Sequence, residues 1–427
     1  MYPLADRHGD KIRGVISCYD RILIQGTLPG ICYAGGMTRF LYEHEIRIFD
    51  YTTFAEPLRD RIRDNAQRLA REAGLEIHHI RKASIRKEAL VEERVRARGT
   101  HPGLVAILSA MEACASYKPW HDKATGRTFL KPDSGKCLHY YFYFIDEELG
   151  LGHVRVPTWC PFRLQVHFNG HHLLAAKLKQ AGITCRMLDN AFLDIGDFAH
   201  AQALSDHLDV ARLHTCLDRW AARVCPVTEP LDTRYHWSIL QAEYATDLLF
   251  TDRAALQPLY DHLVRTAIHT VKPEQVATFL GRKLDPRLQA ELGGSFSTRI
   301  EGTCVKHYLG PAAIKIYDKH GLMLRVETTV NDVSFFKHHR LVEQRNGQEV
   351  FKLAPLKKNI YSLPVLDGLC RDANRRYLEF LAAIDDPSAG RDDLDRVSTP
   401  RRNEGRSYRG INFFTGLDQR LLLAVSR

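Results

Sequence analysis

"IKIYDKHGLMLRVETT", residues 314–329, separates into two chemically different faces when read with a period of two. Ile314, Ile316, Leu322, Leu324 and Val326 fall on one face; Lys315, Tyr317, Arg325 and Glu327 fall on the other. This alternation predicts two half-buried strands joined by a Lys319-His320-Gly321 loop, whose glycine can take the left-handed conformation. Such a loop sets Lys315 opposite Arg325, Ile316 opposite Leu324 and Ile314 opposite Val326. Apolar pairing explains why the hairpin folds. It does not explain why two cations, a phenol and a carboxylate share the other face.

Working outward, Val15–Ile24 reads as a strand with Asp20 inside it, and 55–74 as a helix with Pro57 in its first turn and Gly74 at its stop. "LEIHHIRK" reads as a strand, "SIRKEALVEERVRARG" as a charged helix and "HPGLVAILSAMEACASY" as a more apolar segment. The segment "GKCLHYYFYFIDEELGLGHVRVPTWCPFRLQVHFNGHH" holds two or three strands, broken at Glu-Glu-Leu-Gly and at Pro161. "LLAAKLKQAG" predicts a short helix, 198–224 and 236–270 read as mostly helical, and a further helix starts near 272. Residues 364–384 are helical in pattern, whereas 385–410 lose their apolar periodicity and read as a linker. The expected class is α+β, with a mixed or mainly antiparallel sheet and flanking helices. The expected division is an α/β region over 1–130, a strand-rich segment with helices over 131–271, a hairpin-containing region over 272–384, and a linker with the start of a C-terminal module over 385–427.

Bulk properties narrow the function. The 427 residues are 44% hydrophobic and 26% charged, as in ordinary globular proteins. No window approaches about 18 uninterrupted apolar residues, and the N-terminus has no apolar signal core. The 10 cysteines form no Cys-x-x-Cys and no evident disulfide framework, which points to a reduced, cytoplasmic protein away from membranes. Sixty Lys and Arg against 51 acidic residues give a formal charge of +9, favouring a polyanionic partner, DNA or RNA.

On the hairpin, Lys315, Lys319 and Arg325 are the expected phosphate contacts, Tyr317 offers a stacking face or a nucleophile, and Glu327 a metal ligand. Lys337 and Arg340, in the basic and aromatic "SFFKHHRLV", extend that surface. Asp20, Asp146 at the end of "YYFYFID", and Glu243 are further metal candidates; with Glu327 they would bind Mg²⁺ or Mn²⁺ if they converge. Glu243 and Asp247 are expected on one face of a helix. His167, His171 and His172 surround an Asn-Gly turn, where His167 and His171 could meet. Gly-x-Gly-x-x-Gly, Walker and Gly-x-Ser-x-Gly patterns are absent.

Several stretches, among them "YHWSILQAEYATD", "VATFLGRKLD" and "INFFTGLDQRLL", resemble an uncharacterised bacterial family, often multi-copy and labelled winged-helix or MarR-like. The resemblance implies a chain running on past residue 427 into a winged helix-turn-helix, and a mobile element. Locally, "KIYDKHGLMLRVE" is similar to a strand-turn-strand of rolling-circle replication initiators, which implies matching roles for Lys315, Tyr317, Lys319, Arg325 and Glu327. The His-hydrophobic-His metal motif of those enzymes has no clean counterpart here. The leading expectation is a DNA-processing protein of a mobile element, cutting phosphodiesters with metal or initiating replication. The alternatives are a non-catalytic DNA-binding regulator and an RNA-binding protein partnered with a structured transcript.

Overall fold

The computed structural model describes residues 3–82, 85–99, 101–282, 297–301, 304–385, 400–403 and 406–408. Its centre is an 11-stranded sheet built from β1 (Ile12–Thr27), β2 (Ile77–Ile80), β3 (Gly103–Asp122), β4 (Arg127–Asp146), β5 (Gly150–Pro157), β6 (Leu164–Phe168), β9 (His236–Phe250), β10 (Ser297–Glu301), β11 (Cys304–Leu309), β12 (Ala312–Lys319) and β13 (Met323–Val330). The spatial order is β10-β11-β12-β13-β9-β1-β6-β5-β4-β3-β2. All neighbours are antiparallel except β2 and β3, so the expected α+β class with a mainly antiparallel sheet is what the chain forms. Strands of this one sheet come from each of the segments 1–130, 131–271 and 272–384.

One face carries the main core. Helices α2 (Ala34–Glu43), α3 (Tyr51–Glu72), α7 (Val210–Val224), α8 (Arg253–Thr270), α9 (Pro273–Phe279) and α10 (Leu363–Asp385) contribute to it, packing with Ile22, Ile24, Phe142, Phe144, Ile314, Ile316, Leu324 and Val326. The other face is covered in two patches. Over β1, β9 and β13 lie α5 (Gly170–Gln180), α6 (Phe198–Asp206) and the small hairpin β7 (Cys185–Leu188) with β8 (Ala191–Ile195). Over β3 and β4 lies α4 (Lys87–Arg98). The strip between the two patches is polar.

Two local expectations are corrected, and one segment without an assigned element finds its place. Residues 236–250 form strand β9 rather than helix. Their Ala, Gln, Glu and Leu content favours helix, but the segment is paired along both edges, to β1 and β13, and that pairing overrides propensity. The apolar 101–117 segment is most of the long strand β3, paired with β4 along nearly its whole length. In the β12–β13 hairpin, Lys315 faces Glu327 and Tyr317 faces Arg325, two residues away from the expected register. The loop is His320-Gly321-Leu322, with His320 (φ 59°) and Gly321 (φ 70°) both left-handed. A slip of two keeps each side chain on its face, whereas a slip of one would have exchanged the faces. The linker is described only at its end, where 401–403 pairs with 406–408; the expected C-terminal module lies outside the described residues.

Candidate metal centre

Asp20, Glu243 and Glu327 come together on the polar face of the sheet, each from a different one of three neighbouring strands. Each offers a carboxylate oxygen, and these atoms all lie within 4.8 Å of one another. Asp20 and Glu327 are buried; Glu243 is half-buried and opens the cluster towards solvent. Asp20 reaches this position through a β-bulge: Tyr19 pairs with Tyr244 and Arg21 with Glu243, leaving Asp20 as the extra residue.

Beside the cluster, Arg325 is fully buried and bound on every side. Its Nε and Nη2 donate to the two oxygens of Asp247, both at 2.6 Å, and its Nη1 donates to Asp20 Oδ1 at 3.0 Å. Nη2 also donates to the Asn190 carbonyl at 3.0 Å and lies 3.1 Å from His171 Nε2. Both Nη2 hydrogens are taken by Asp247 and Asn190, while His171 Nε2 also lies 3.4 Å from Asp247 Oδ2 and Nδ1 lies 3.3 Å from Asp20 Oδ1. Burial favours neutral His171, while Cys18, Asp20 and Asp247 pull its pKa well above the ordinary value. Asn190 Nδ2 adds a bond to Asp20 Oδ1 at 2.6 Å, and Lys319 donates to Asn190 Oδ1.

The local sequence explains how His171 arrives. Asn169 caps α5, accepting from the backbone N–H of His171 and of His172, and Gly170 lies against β1. A Cβ at Gly170 would fall 2.1 Å from the Tyr19 carbonyl oxygen, so only glycine lets the helix start one residue from Asp20. His167 does not meet His171; it stacks on His153 with ring centroids 4.9 Å apart.

Electrostatics sort these carboxylates into two kinds. Burial alone would raise Asp247, but the Arg325 guanidinium and His171 hold it at about 2. Burial also opposes ionisation of Asp20, and the nearby His171 and Arg325 outweigh it, holding the group far below the usual range. Glu327 goes the other way. Burial, with Asp20 and Glu243 as like-charged neighbours, pushes it up to about 7 despite Lys315, whose Nζ lies 2.6 Å from Oε1. That contact is not aligned as a hydrogen bond, whereas Tyr317 OH donates to Oε2 at 2.8 Å. Three carboxylates gathered with too few aimed donors form a group that could hold a metal ion.

Of the expected metal ligands, Asp20, Glu243 and Glu327 converge and Asp146 does not. Asp146 shares the face of Phe142 and Phe144, where its Oδ2 accepts from Trp220 Nε1 (2.8 Å) and Arg219 (2.7 Å), while Oδ1 caps the β4–β5 turn. Glu243 and Asp247 do share a face, but through the period of a strand, and Asp247 is taken up by Arg325. Arg325 cannot be a phosphate contact, being fully buried and fully paired. Lys319 is turned inward to Asn190. Tyr317 is a poor nucleophile: burial and Glu327 raise its phenol far above the ordinary value, and its proton is committed to Glu327. Lys337 and Arg340 lie on a separate two-stranded hairpin, β14 (Lys337–Glu343) and β15 (Glu349–Pro355). The aromatic run at 140–144 is buried in the sheet.

Sequence reasoning missed Asn190, a turn residue with no pattern around it, and Lys306 on β11. The alternation of "CVKHYL" carries the signal for Lys306, placing it on the face of Lys315. Comparison with protein-family models, with curated proteins and with solved structures found no match for this chain.

Proposed function

We propose that the chain is a divalent-metal-dependent phosphodiesterase acting on nucleic acid, with Mg²⁺ or Mn²⁺ held by Asp20, Glu243 and Glu327. The observation that carries this reading is the convergence of these three carboxylates beside Lys315, on a chain with a formal charge of +9. A divalent cation there would polarise a phosphoryl oxygen and acidify an attacking water. The chain's own residues do the rest. Arg325, His171 and Asn190 fix Asp20 in its ionised form; Tyr317 orients Glu327; half-buried Glu243 marks the side from which substrate enters. Lys315, only partly exposed and 2.6 Å from Glu327, would place its ammonium to stabilise charge developing on the phosphoryl group. Nucleophilic attack by Tyr317 is disfavoured by its raised pKa, which separates this site from tyrosine-dependent nicking.

The test uses labelled DNA and RNA oligonucleotides with Mg²⁺, Mn²⁺ or EDTA, and calorimetric titration with Mn²⁺. Cleavage needs metal, and Glu243→Gln abolishes both cleavage and tight Mn²⁺ binding while oligonucleotide binding persists. Salt-sensitive binding without metal uptake or cleavage would instead favour a non-catalytic nucleic-acid-binding regulator.

A further inference from the structure

The cations free to meet a substrate lie on both sides of the carboxylates, in a line that crosses the strands. On β11, Lys306 pairs in register with Lys315; on β12, Lys315 pairs with Glu327. On the far side Glu243 pairs with Arg21 of β1. Between β13 and β9 the row steps diagonally by two residues, since Glu327 pairs with Ala245 and Glu243 with Thr329; with that offset, five adjacent strands in the order β11-β12-β13-β9-β1 present cation, cation, carboxylate, carboxylate, cation on one face. Four inter-strand steps of about 4.8 Å and one two-residue offset of about 7 Å along the strands make this row roughly 20 Å long.

The end members have unspent charge. Arg21 is exposed and Lys306 half-buried, and among the described residues neither has a carboxylate within ion-pair distance. Lys306 instead sits over the Tyr308 ring, 4.7 Å from its centroid. Two lysines directly opposite on paired strands repel each other, an arrangement that an anion between them relieves. Arg325 and Lys319, by contrast, are consumed by the buried network.

We propose that this row is a track for a nucleic-acid strand running across the strands of the sheet, with the reacting phosphate at the carboxylates and Lys315, and flanking phosphates at Lys306 on one side and at Arg21 on the other. The track rests on the proposed phosphodiesterase reading and adds a substrate class to it: a polynucleotide with phosphates on both sides of the cut, rather than a mononucleotide or an isolated diester.

The experiment measures binding of a labelled single-stranded oligonucleotide to the full chain across a salt series, for wild type, Arg21→Ala, Lys306→Ala, the double variant and Lys306→Arg. Lys123→Ala, in the exposed β3–β4 turn, serves as the charge control. Each track variant weakens binding at low salt and flattens the slope of log affinity against log salt by about one unit, and the double variant by about two. Lys306→Arg keeps the wild-type slope, Lys123→Ala leaves it unchanged, and Mn²⁺ affinity stays at the wild-type value in all of them. Unchanged slopes in Arg21→Ala and Lys306→Ala, with wild type binding Mn²⁺ and cutting, overturn the track alone. Failure of wild type to take up Mn²⁺ overturns the metal reading, and failure to bind the oligonucleotide overturns both.

Discussion

Two polar clusters share one face of the same sheet, and they are built oppositely. Around Glu112 on β3, donors match acceptors. Tyr141 OH reaches both carboxylate oxygens (2.6 and 2.7 Å), Lys87 Nζ lies 3.0 Å from one, and Arg155 donates to the other at 2.9 and 3.1 Å. Burial would raise this carboxyl, but those donors bring it down to about 2. Around Glu327 the carboxylates outnumber the aimed donors, and the pKa climbs to about 7. The first cluster is a finished clasp tying α4 and three strands together. The second is finished only where Arg325 closes it, and open where Asp20, Glu243 and Glu327 face one another. The same residue types therefore make either a structural joint or a site, and the balance of donors to acceptors decides which.

The largest effect that would break this contrast is at Arg325. Arg325→Ala leaves Asp247 buried without its partner and costs roughly 3–5 kcal/mol in urea unfolding. A loss near zero would mean that the network does not stabilise the fold. Next comes ligand linkage. Mn²⁺ at a hundred times its dissociation constant raises stability by about 2.7 kcal/mol, a gain that shrinks to near nothing in Glu327→Gln. Equal stabilisation of both proteins would place the ion elsewhere.

Glu112→Gln follows, with a loss of about 1–3 kcal/mol at neutral pH as the clasp's donors are left unmatched. Here the two clusters differ in sign. Glu112 titrates in the folded chain below the ordinary carboxylate value of about 4.3, so its contribution is complete above that pH and drains away as pH falls towards about 2. Glu327 titrates above the ordinary value, so the metal-free protein loses stability as pH rises from about 4.3 to about 7. Glu327→Gln removes that loss and gains on wild type across the window. Parallel pH profiles for the two variants would erase the distinction between joint and site. The smallest effect is at Glu243, which is half-buried and without an ion pair among the described residues. Glu243→Gln changes metal-free stability by under about 0.5 kcal/mol while abolishing cleavage.

Much of this was legible beforehand. The class, the two or three strands expected within 135–172 (three form), the two faces of the 314–329 hairpin, and Asp20 and Glu327 as acids on strands all follow from period-two patterning. Glu243 was expected to share a helix face with Asp247, and the two do share a face, but of a strand, because residues four apart lie on one side in either element. Asp146 looked equivalent to Asp20, both being acids on apolar strands. Strand parity puts them on opposite faces, and which face meets α7 and which meets α5 is a matter of chain path. Arg325 looked like a phosphate contact because its sequence neighbours alternate as on a solvated surface. The cover that buries it, α5 and the β7–β8 turn, is more than 130 positions away.

By itself, then, the sequence determined alternation, and with it which side chains share a face of each strand, because the pleat admits only one period. Only the tertiary structure decided which strands lie side by side, and hence which acids meet and which cations are consumed. Those choices depend on contacts between residues 20, 171, 243 and 325, whose encounter no local pattern encodes.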